Sequence, residues 1–161
     1  MANPEVRFNA FVDNFDPKGA YHFINVPDEI ALSLTDKFPF RAVCTIRNHT
    51  FHCGIVKHGI DGFVIQMGKQ TMKKAQIIKG ESIEIKLIRD TSEYGYEMPE
   101  EMRELLLQDE EGNKNWEALN PGTKRSILYY VCGAKSSEVR IKRAMQMLER
   151  AREILVEKKT K

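Results

Sequence analysis

The residues best suited to bind a metal are three histidines and two cysteines in one region of the chain. His49, His52 and His58 lie close together, with Cys53 between them and Cys44 upstream. Imidazole and thiolate groups are the usual ligands of zinc, but none of the usual spacings, such as Cys-x-x-Cys or His-x3-His, is present. His52 and Cys53 are also neighbours on a predicted strand, so their side chains point to opposite faces. We therefore predict no bound metal and no cofactor.

A second group of residues is basic and suits anions. Lys and Arg side chains bind phosphates and acidic surfaces through charge-assisted hydrogen bonds. Arg140 and Arg143 are three residues apart, hence on one face of a predicted helix. The predicted anion or partner site comprises Lys124, Arg125, Lys135, Arg140, Lys142 and Arg143. The alternative is a solvated face whose arginines pair with the acidic segment at residues 90–111, and we favour this alternative narrowly.

Signatures of catalysis are missing from the sequence. It has no Gly-x-Ser-x-Gly motif, no phosphate-binding loop and no dinucleotide-binding fingerprint. Carboxylates at residues 93–111 and tyrosines at 94, 96, 129 and 130 could serve a site, but a solvated acidic helix and burial in a bundle account for them more simply. No catalytic residue is assigned, and enzymatic activity is not favoured.

Composition is that of an ordinary globular chain with unevenly distributed charge. Of 161 residues, 30% are charged and 42% hydrophobic, and no apolar run approaches the ~20 residues of a membrane helix. The start of the chain lacks the pattern of a secretory signal, so a cytoplasmic location is expected. Net charge is +3 over residues 1–89, −8 over 90–111 and +7 over 123–161. Such asymmetry indicates an interaction surface or segments that attract each other.

The first half of the chain alternates between strand and helix patterns. Apolar residues at every second position predict strands near residues 6–15, 20–26, 40–47, 50–57, 63–67 and 83–87. Asn48 is expected to take a positive φ in the hairpin between the third and fourth strands. Helices are predicted after Pro27 and over Lys69–Ile78, the second ended by Lys79 and Gly80. Two strand–helix halves of this kind would close a small barrel.

Beyond residue 97 the pattern is helical. One helix is predicted from Met98 until residues 109–113 end it, followed by a short turn that holds Trp116. A helix from Pro121 to Gly133 and a last helix from Ser137 complete the chain. The predicted core stripe of the last helix comprises Ile141, Ala144, Met145, Leu148, Ala151 and Leu155. We expect a barrel domain at residues 1–97 and a helical domain at 98–161.

Three blocks, Tyr21–Pro27, Gly62–Leu87 and Trp116–Arg143, resemble the YdeI/OmpD-associated family of bacterial proteins. In that family a small β-barrel domain of unknown function precedes a helical segment. The barrel half is also similar in pattern to the double-split barrels of AbrB-like transcription factors. The resemblance implies an α+β fold, in which a small double-split (AbrB-like) β-barrel is followed by a C-terminal helical bundle.

The resemblance implies only a general function. The family is linked to protection against bacteriocins and cationic antimicrobial peptides, and to an outer-membrane porin. We expect a non-enzymatic binding protein linked to antimicrobial-peptide or envelope stress protection. Two alternatives stay open: a nucleic-acid-binding regulator with an AbrB-like barrel, and an enzyme whose site the sequence does not reveal. The basic residues fit an acidic partner or an anionic ligand; nucleic acid is not favoured and no membrane span is expected.

Overall fold

The computed structural model describes residues 3–14, 21–59, 62–78 and 80–161. The chain divides into two compact units, Met1–Thr91 and Ser92–Lys161. The first is a β-barrel with two short helices, and the second is helical. The expected α+β fold, with a barrel followed by helices, is confirmed. The predicted helix end at Lys79 lies outside the described residues.

Six antiparallel strands form the barrel. They are β1 (Val6–Asn14), β2 (Tyr21–Val26), β3 (Phe40–Ile46), β4 (His49–His58), β5 (Gly62–Gly68) and β6 (Ser82–Arg89). Helix α1 (Asp28–Leu34) joins β2 to β3, and helix α2 (Lys69–Lys74) joins β5 to β6. The strand order β1-β2-β5-β4-β3-β6 closes on itself. Closure gives every strand a partner on both sides, which removes the unpaired edges of an open sheet.

The inward side chains fill the barrel. On β3, Ala42, Cys44 and Ile46 are buried while the residues between them are partly exposed, which is the period of 2 expected for one inward face. Fully buried residues from the other strands complete the interior, among them Ile24, Ile55, Ile65, Ile85 and Leu87. Each such aliphatic side chain contributes about 1.5–3 kcal/mol on burial. Because the interior is packed with these side chains, we look for ligand sites of this unit on its outer surface.

The β3–β4 hairpin turns at Arg47 and Asn48, but its positive φ is at Arg47 (54°), so the expectation for Asn48 was wrong. The Arg47 side chain donates hydrogen bonds to the carbonyl oxygen of Gln76 and to the carboxylate of Glu81. These two contacts help to offset the left-handed backbone, which costs an L-residue about 1–2 kcal/mol.

Helix α2 is shorter than the periodicity predicts. Gln76 takes a φ of 54°, and the amide of Ile77 donates to the carbonyl of Met72 at 3.0 Å, as in a Schellman C-cap. The chain thus leaves the helix before Ile78. Ile77 enters the core and Ile78 is 71% exposed, so the predicted extension of the helix to Ile78 was wrong.

The second unit contains four helices. They are α3 (Glu100–Gln108), α4 (Glu110–Glu117), α5 (Pro121–Cys132) and α6 (Ser137–Lys159). Their shared core is built around fully buried residues, among them Met102, Trp116, Leu128, Val131 and Ala144. Among the described helices, none combines the length and the apolar character needed to cross a membrane.

The segment around Asp109 starts a helix, so the predicted short turn holding Trp116 was wrong. The Asp109 carboxylate accepts a hydrogen bond from the amide of Gly112 at 2.8 Å and caps α4, with Glu110 and Glu111 in its first turn. Acidic residues at a helix N-terminus are stabilised by the helix dipole. Trp116 is therefore helical and fully buried.

Half of the predicted stripe of α6 lies in the core. Ala144, Leu148 and Ala151 are buried, as expected. Ile141 and Met145 are exposed, Met145 to 58%, so their predicted burial was wrong. The apolar side of α6 is thus wider than the surface that α3, α4 and α5 cover.

Replacing Gln76 with Gly should stabilise the barrel unit. Gly tolerates a positive φ, and the backbone carbonyl that accepts from Arg47 is retained. The relief of left-handed strain exceeds the added chain entropy of Gly, so we expect urea unfolding to give a free energy higher by up to about 1 kcal/mol. Gln70→Gly, inside α2, is the control and should lower it by about 1 kcal/mol. Equal losses in both variants would contradict strain at position 76.

Candidate functional site

Arg143 contacts the end of α5 and Arg140 contacts the loop that follows it. Arg140 donates from Nε to the carbonyl of Ala134 at 3.0 Å, and Arg143 donates from Nη1 to the carbonyl of Tyr130 at 2.8 Å. The Arg143 guanidinium also lies 4.5 Å from the centre of the Tyr130 ring. Cations at a helix C-terminus satisfy its last carbonyls and complement its dipole. These two arginines therefore have a structural role in the unit.

Arg140 also reaches the acidic segment. Its Nη1 lies 3.8 Å from Oε1 of Glu101 on α3. The Glu101 carboxylate accepts a hydrogen bond from the backbone amide of the same residue, and this bond lowers its pKa most. A hydrogen bond with Ser137 and the charge of Arg140 lower the pKa further. The alternative to an anion site, in which the arginines pair with the acidic segment at residues 90–111, requires contacts of this kind.

The other predicted basic residues are spread over the unit. Lys124 is only 12% exposed, lies 3.6 Å from Glu117, and sits over the rings of Tyr94 and Trp116 at 5.6 and 5.7 Å. Arg125 is half-buried, whereas Lys135 and Lys142 are exposed. Lys124 and the Tyr130 carbonyl are about 9 Å apart along α5. The structure thus brings Arg140 and Arg143 together and separates them from Lys124; an anion site at the six residues remains a prediction.

The histidines and cysteines of the barrel do not converge. Among the described residues, no group of three His, Cys, Asp or Glu side chains is placed to hold a metal. Cys44 and Cys53 are both buried. A hydrogen bond with Cys53 and burial raise the pKa of the Cys44 thiol far above its usual range, which keeps the thiol protonated and unreactive.

One histidine does have a carboxylate partner. Nδ1 of His52 lies 2.7 Å from Oδ2 of Asp90, whose side chain is 1% exposed. A carboxylate in this position orients an imidazole, as it does in general-base pairs. Sequence reasoning missed this pair because 38 residues separate its members along the chain.

Three grooves mark the surfaces of the two units. The first, which we call the barrel groove, has a volume of about 410 Å³ and is lined by Arg7, Thr45, Arg47, Ser82, Ile83, Glu84 and Lys86. Its cations are already compensated: Arg7 pairs with Glu5 at 2.7 Å, Lys86 lies 3.7 Å from Glu5, and Arg47 pairs with Glu81. The barrel groove therefore offers little net positive charge to an anion.

The second and third grooves lie on either side of α3. The second has a volume of about 380 Å³ and is lined by Glu93, Tyr94, Met98, Arg103, Leu106, Leu107 and Asn113. The third, which we call the acidic groove, has a volume of about 280 Å³ and is lined by Leu105, Asp109, Glu111, Gly112, Asn115, Met145, Leu148, Glu149 and Arg152. Of these two, the acidic groove combines an apolar floor with three carboxylates and one cation. Neither His52 nor Asp90 lines any of the three grooves.

The acidic segment supplies more carboxylates than the unit neutralises. Glu101 pairs with Arg140, and Glu110 pairs with Lys114 at 3.0 Å. Five further exposed glutamates have no ion-pair partner in the described part of the chain: Glu93, Glu97, Glu100, Glu104 and Glu111. The net charge of −8 over residues 90–111 was the signal in the sequence for this surface.

Replacing Arg140 and Arg143 together with Ala should destabilise the helical unit. The substitutions remove two charge-assisted hydrogen bonds and the contact with Glu101, and both side chains are partly exposed, so we expect a loss of about 1–2 kcal/mol in urea unfolding. Replacing the exposed Lys135 and Lys142 with Ala is the matched control and should change stability by less than about 0.5 kcal/mol. Unchanged stability in the arginine variant would argue against their structural role.

Comparison with known proteins assigns each unit separately. Residues 8–87 match the model of a domain of unknown function, DUF1905, and residues 95–153 match the model of the family described as bacteriocin-protection, YdeI or OmpD-associated. No functionally curated protein matches the chain. The first match covers most of the barrel and the second covers α3 to α5 and most of α6. The resemblance seen in the sequence is confirmed: the chain carries a DUF1905 domain followed by a domain of the bacteriocin-protection, YdeI or OmpD-associated family.

Proposed function

We propose that the protein is a non-enzymatic binding protein that takes up cationic peptides on the acidic side of its helical unit. Such binding would sequester antimicrobial peptides and so protect the cell from them or from the envelope stress they cause. The observation that carries the proposal is the excess of exposed glutamates on and around α3 that have no ion-pair partner among the described residues.

Electrostatic complementarity supports a cationic partner. Unpaired carboxylates close together on one surface repel each other, and a bound cationic group relieves this repulsion. The negative electrostatic potential of these carboxylates also attracts a cationic peptide over a distance and accelerates its association. Apolar groups beside the carboxylates, including the exposed Met145, suit a peptide that is amphipathic as well as cationic.

The position of this surface supports the same function. All of these glutamates except Glu93 lie within residues 95–153, which match the family described as bacteriocin-protection. Bacteriocins are toxic peptides and proteins, and many antimicrobial peptides are cationic and amphipathic. The barrel unit matches a domain of unknown function, so no comparison assigns it a ligand.

A nucleic acid partner has less support. Phosphate backbones require cations that are available for contact. Arg140 and Arg143 are engaged with backbone carbonyls of α5 and the loop after it, and the cations of the barrel groove are paired with carboxylates. The open basic side chains of the predicted cluster, Lys135 and Lys142, are too few to track a duplex.

Fluorescence anisotropy with designed peptides tests the proposal. A labelled Lys/Leu peptide of about 14 residues, patterned as an amphipathic helix, should bind the full-length protein, and its Kd should rise several-fold on going from low to physiological salt. A Glu/Leu peptide of the same pattern is the matched control and should not bind. Equal binding of both peptides, binding of neither, or tighter binding of duplex DNA would contradict a site for cationic peptides.

A further inference from the structure

We infer that the acidic groove is the docking site for one amphipathic helix of a cationic peptide, with Met145 and the side chains around it as the apolar floor. This inference rests on the proposed function and adds the site and the mode of binding. Helix-in-groove recognition needs an apolar floor, a polar rim of complementary charge and rigid walls. Each of these is visible in the helical unit.

The floor extends along α6. Met145 lies over the groove beside the buried Leu148, and Leu105 of α3 forms the facing side. Ile141 is one turn before Met145, and Val156 is eleven residues after it, so all three are on the same side of the helix. Both are exposed. Ile141 and Met145 therefore form one apolar patch, whereas Glu149 and Arg152 lie between Met145 and Val156 on this side of the helix.

Methionine suits a floor that must accept varied side chains. Its unbranched, polarisable chain adapts to different partners, which is why binding surfaces with many ligands use it. A groove volume of about 280 Å³ is close to the small end of ligand pockets, enough for one or two apolar side chains of a docked helix. The remaining apolar face of that helix would lie along Ile141.

The net negative charge of the rim lies at the α3–α4 corner. Asp109 and Glu111 stand at the α3–α4 corner, and Glu149 stands on α6. The cation of the rim, Arg152, lies 3.6 Å from Glu149, and both side chains are more than half exposed. The rim therefore carries a net charge of −2, which is complementary to Lys or Arg flanking the apolar face of a helix.

The corner that carries Asp109 is rigid. The Asp109 carboxylate is held by the amide of Gly112, and a Cβ atom at position 112 would overlap that carboxylate. Gly112 is buried, so the corner depends on this close approach. A wall that is fixed before binding loses little entropy when the peptide docks.

Matched substitutions test the groove on the full-length protein. With the Lys/Leu peptide, Met145→Ala should weaken binding about tenfold, as expected for a central apolar contact. Leu107→Ala is its control: Leu107 is more exposed than Met145 but does not line the acidic groove, and the change should stay within about twofold. Circular dichroism melts should show all variants folded, because the substituted side chains are exposed.

A charge substitution tests the rim. Glu149→Gln should weaken binding by about two- to fivefold at low salt, and the difference from the wild type should shrink at high salt. Glu153→Gln is the control, since Glu153 is on the same helix and, like Glu149, pairs with an arginine (Arg150 at 2.8 Å), but lies outside the groove. It should bind like the wild type.

Methyl NMR gives a readout at the site itself. The protein has seven methionines, and after labelling of their methyl groups the Met145 signal should shift on addition of peptide. The signal of Met67, buried in the barrel, should not. If the peptide binds, but neither Met145→Ala nor Glu149→Gln changes its Kd and the Met145 signal does not shift, the acidic groove is not the binding site. The proposed function would still stand. Absence of binding by the wild type would overturn both, and a Met145 shift that depends on protein concentration alone would identify a second copy as the occupant and overturn the inference.

Discussion

Closure of the six-stranded barrel is the constraint from which the properties of the first unit follow. Each strand is paired on both sides, so the backbone offers no edge to which a partner strand could be added. The circumference of six strands leaves an interior that aliphatic side chains fill. The chemistry of this unit is therefore carried by outward-facing side chains, and on the barrel groove those side chains are engaged in ion pairs with one another.

In the helical unit the charges are distributed in a different way. The arginines that begin α6 are directed to backbone carbonyls around the end of α5, where a cation is stabilised by the helix dipole. The glutamates of the first turn of α3 are likewise favoured at a helix N-terminus. Each set is stabilised by a helix end, and one ion pair, between Arg140 and Glu101, joins the two sets. The surface of α3 thus retains a negative charge that another molecule can neutralise.

The sequence predicts the elements far better than their ends. Strands and helices follow from the spacing of apolar residues, and the barrel follows from the repeated strand–helix order. The exceptions, Arg47, Gln76 and Asp109, share a physical cause. A left-handed residue at a turn or helix end depends on contacts across the fold, such as that of Arg47 with Glu81. An Asp with a Gly three residues later is compatible with a helix end and with a helix start, and the choice depends on whether Trp116 can be buried.

The candidate site was predicted in part. The charge of residues 90–111 is readable from the sequence, and so is the apolar stripe of α6, but periodicity does not tell which edge of a stripe its neighbours cover. Helix α6 has 23 residues and is about 34 Å long, whereas α3 has 9 residues and α5 has 12. These shorter helices cannot cover the whole apolar side of α6. One part of that side packs as Ala144, Leu148 and Ala151, and the adjacent part, with Met145, stays exposed beside the carboxylates at the α3–α4 corner. Met145 lies between Ala144 and Leu148 along the chain but on the uncovered edge of the stripe, so the packing that leaves it out of the core creates an apolar surface with an acidic rim, the two properties that a cationic amphipathic helix requires.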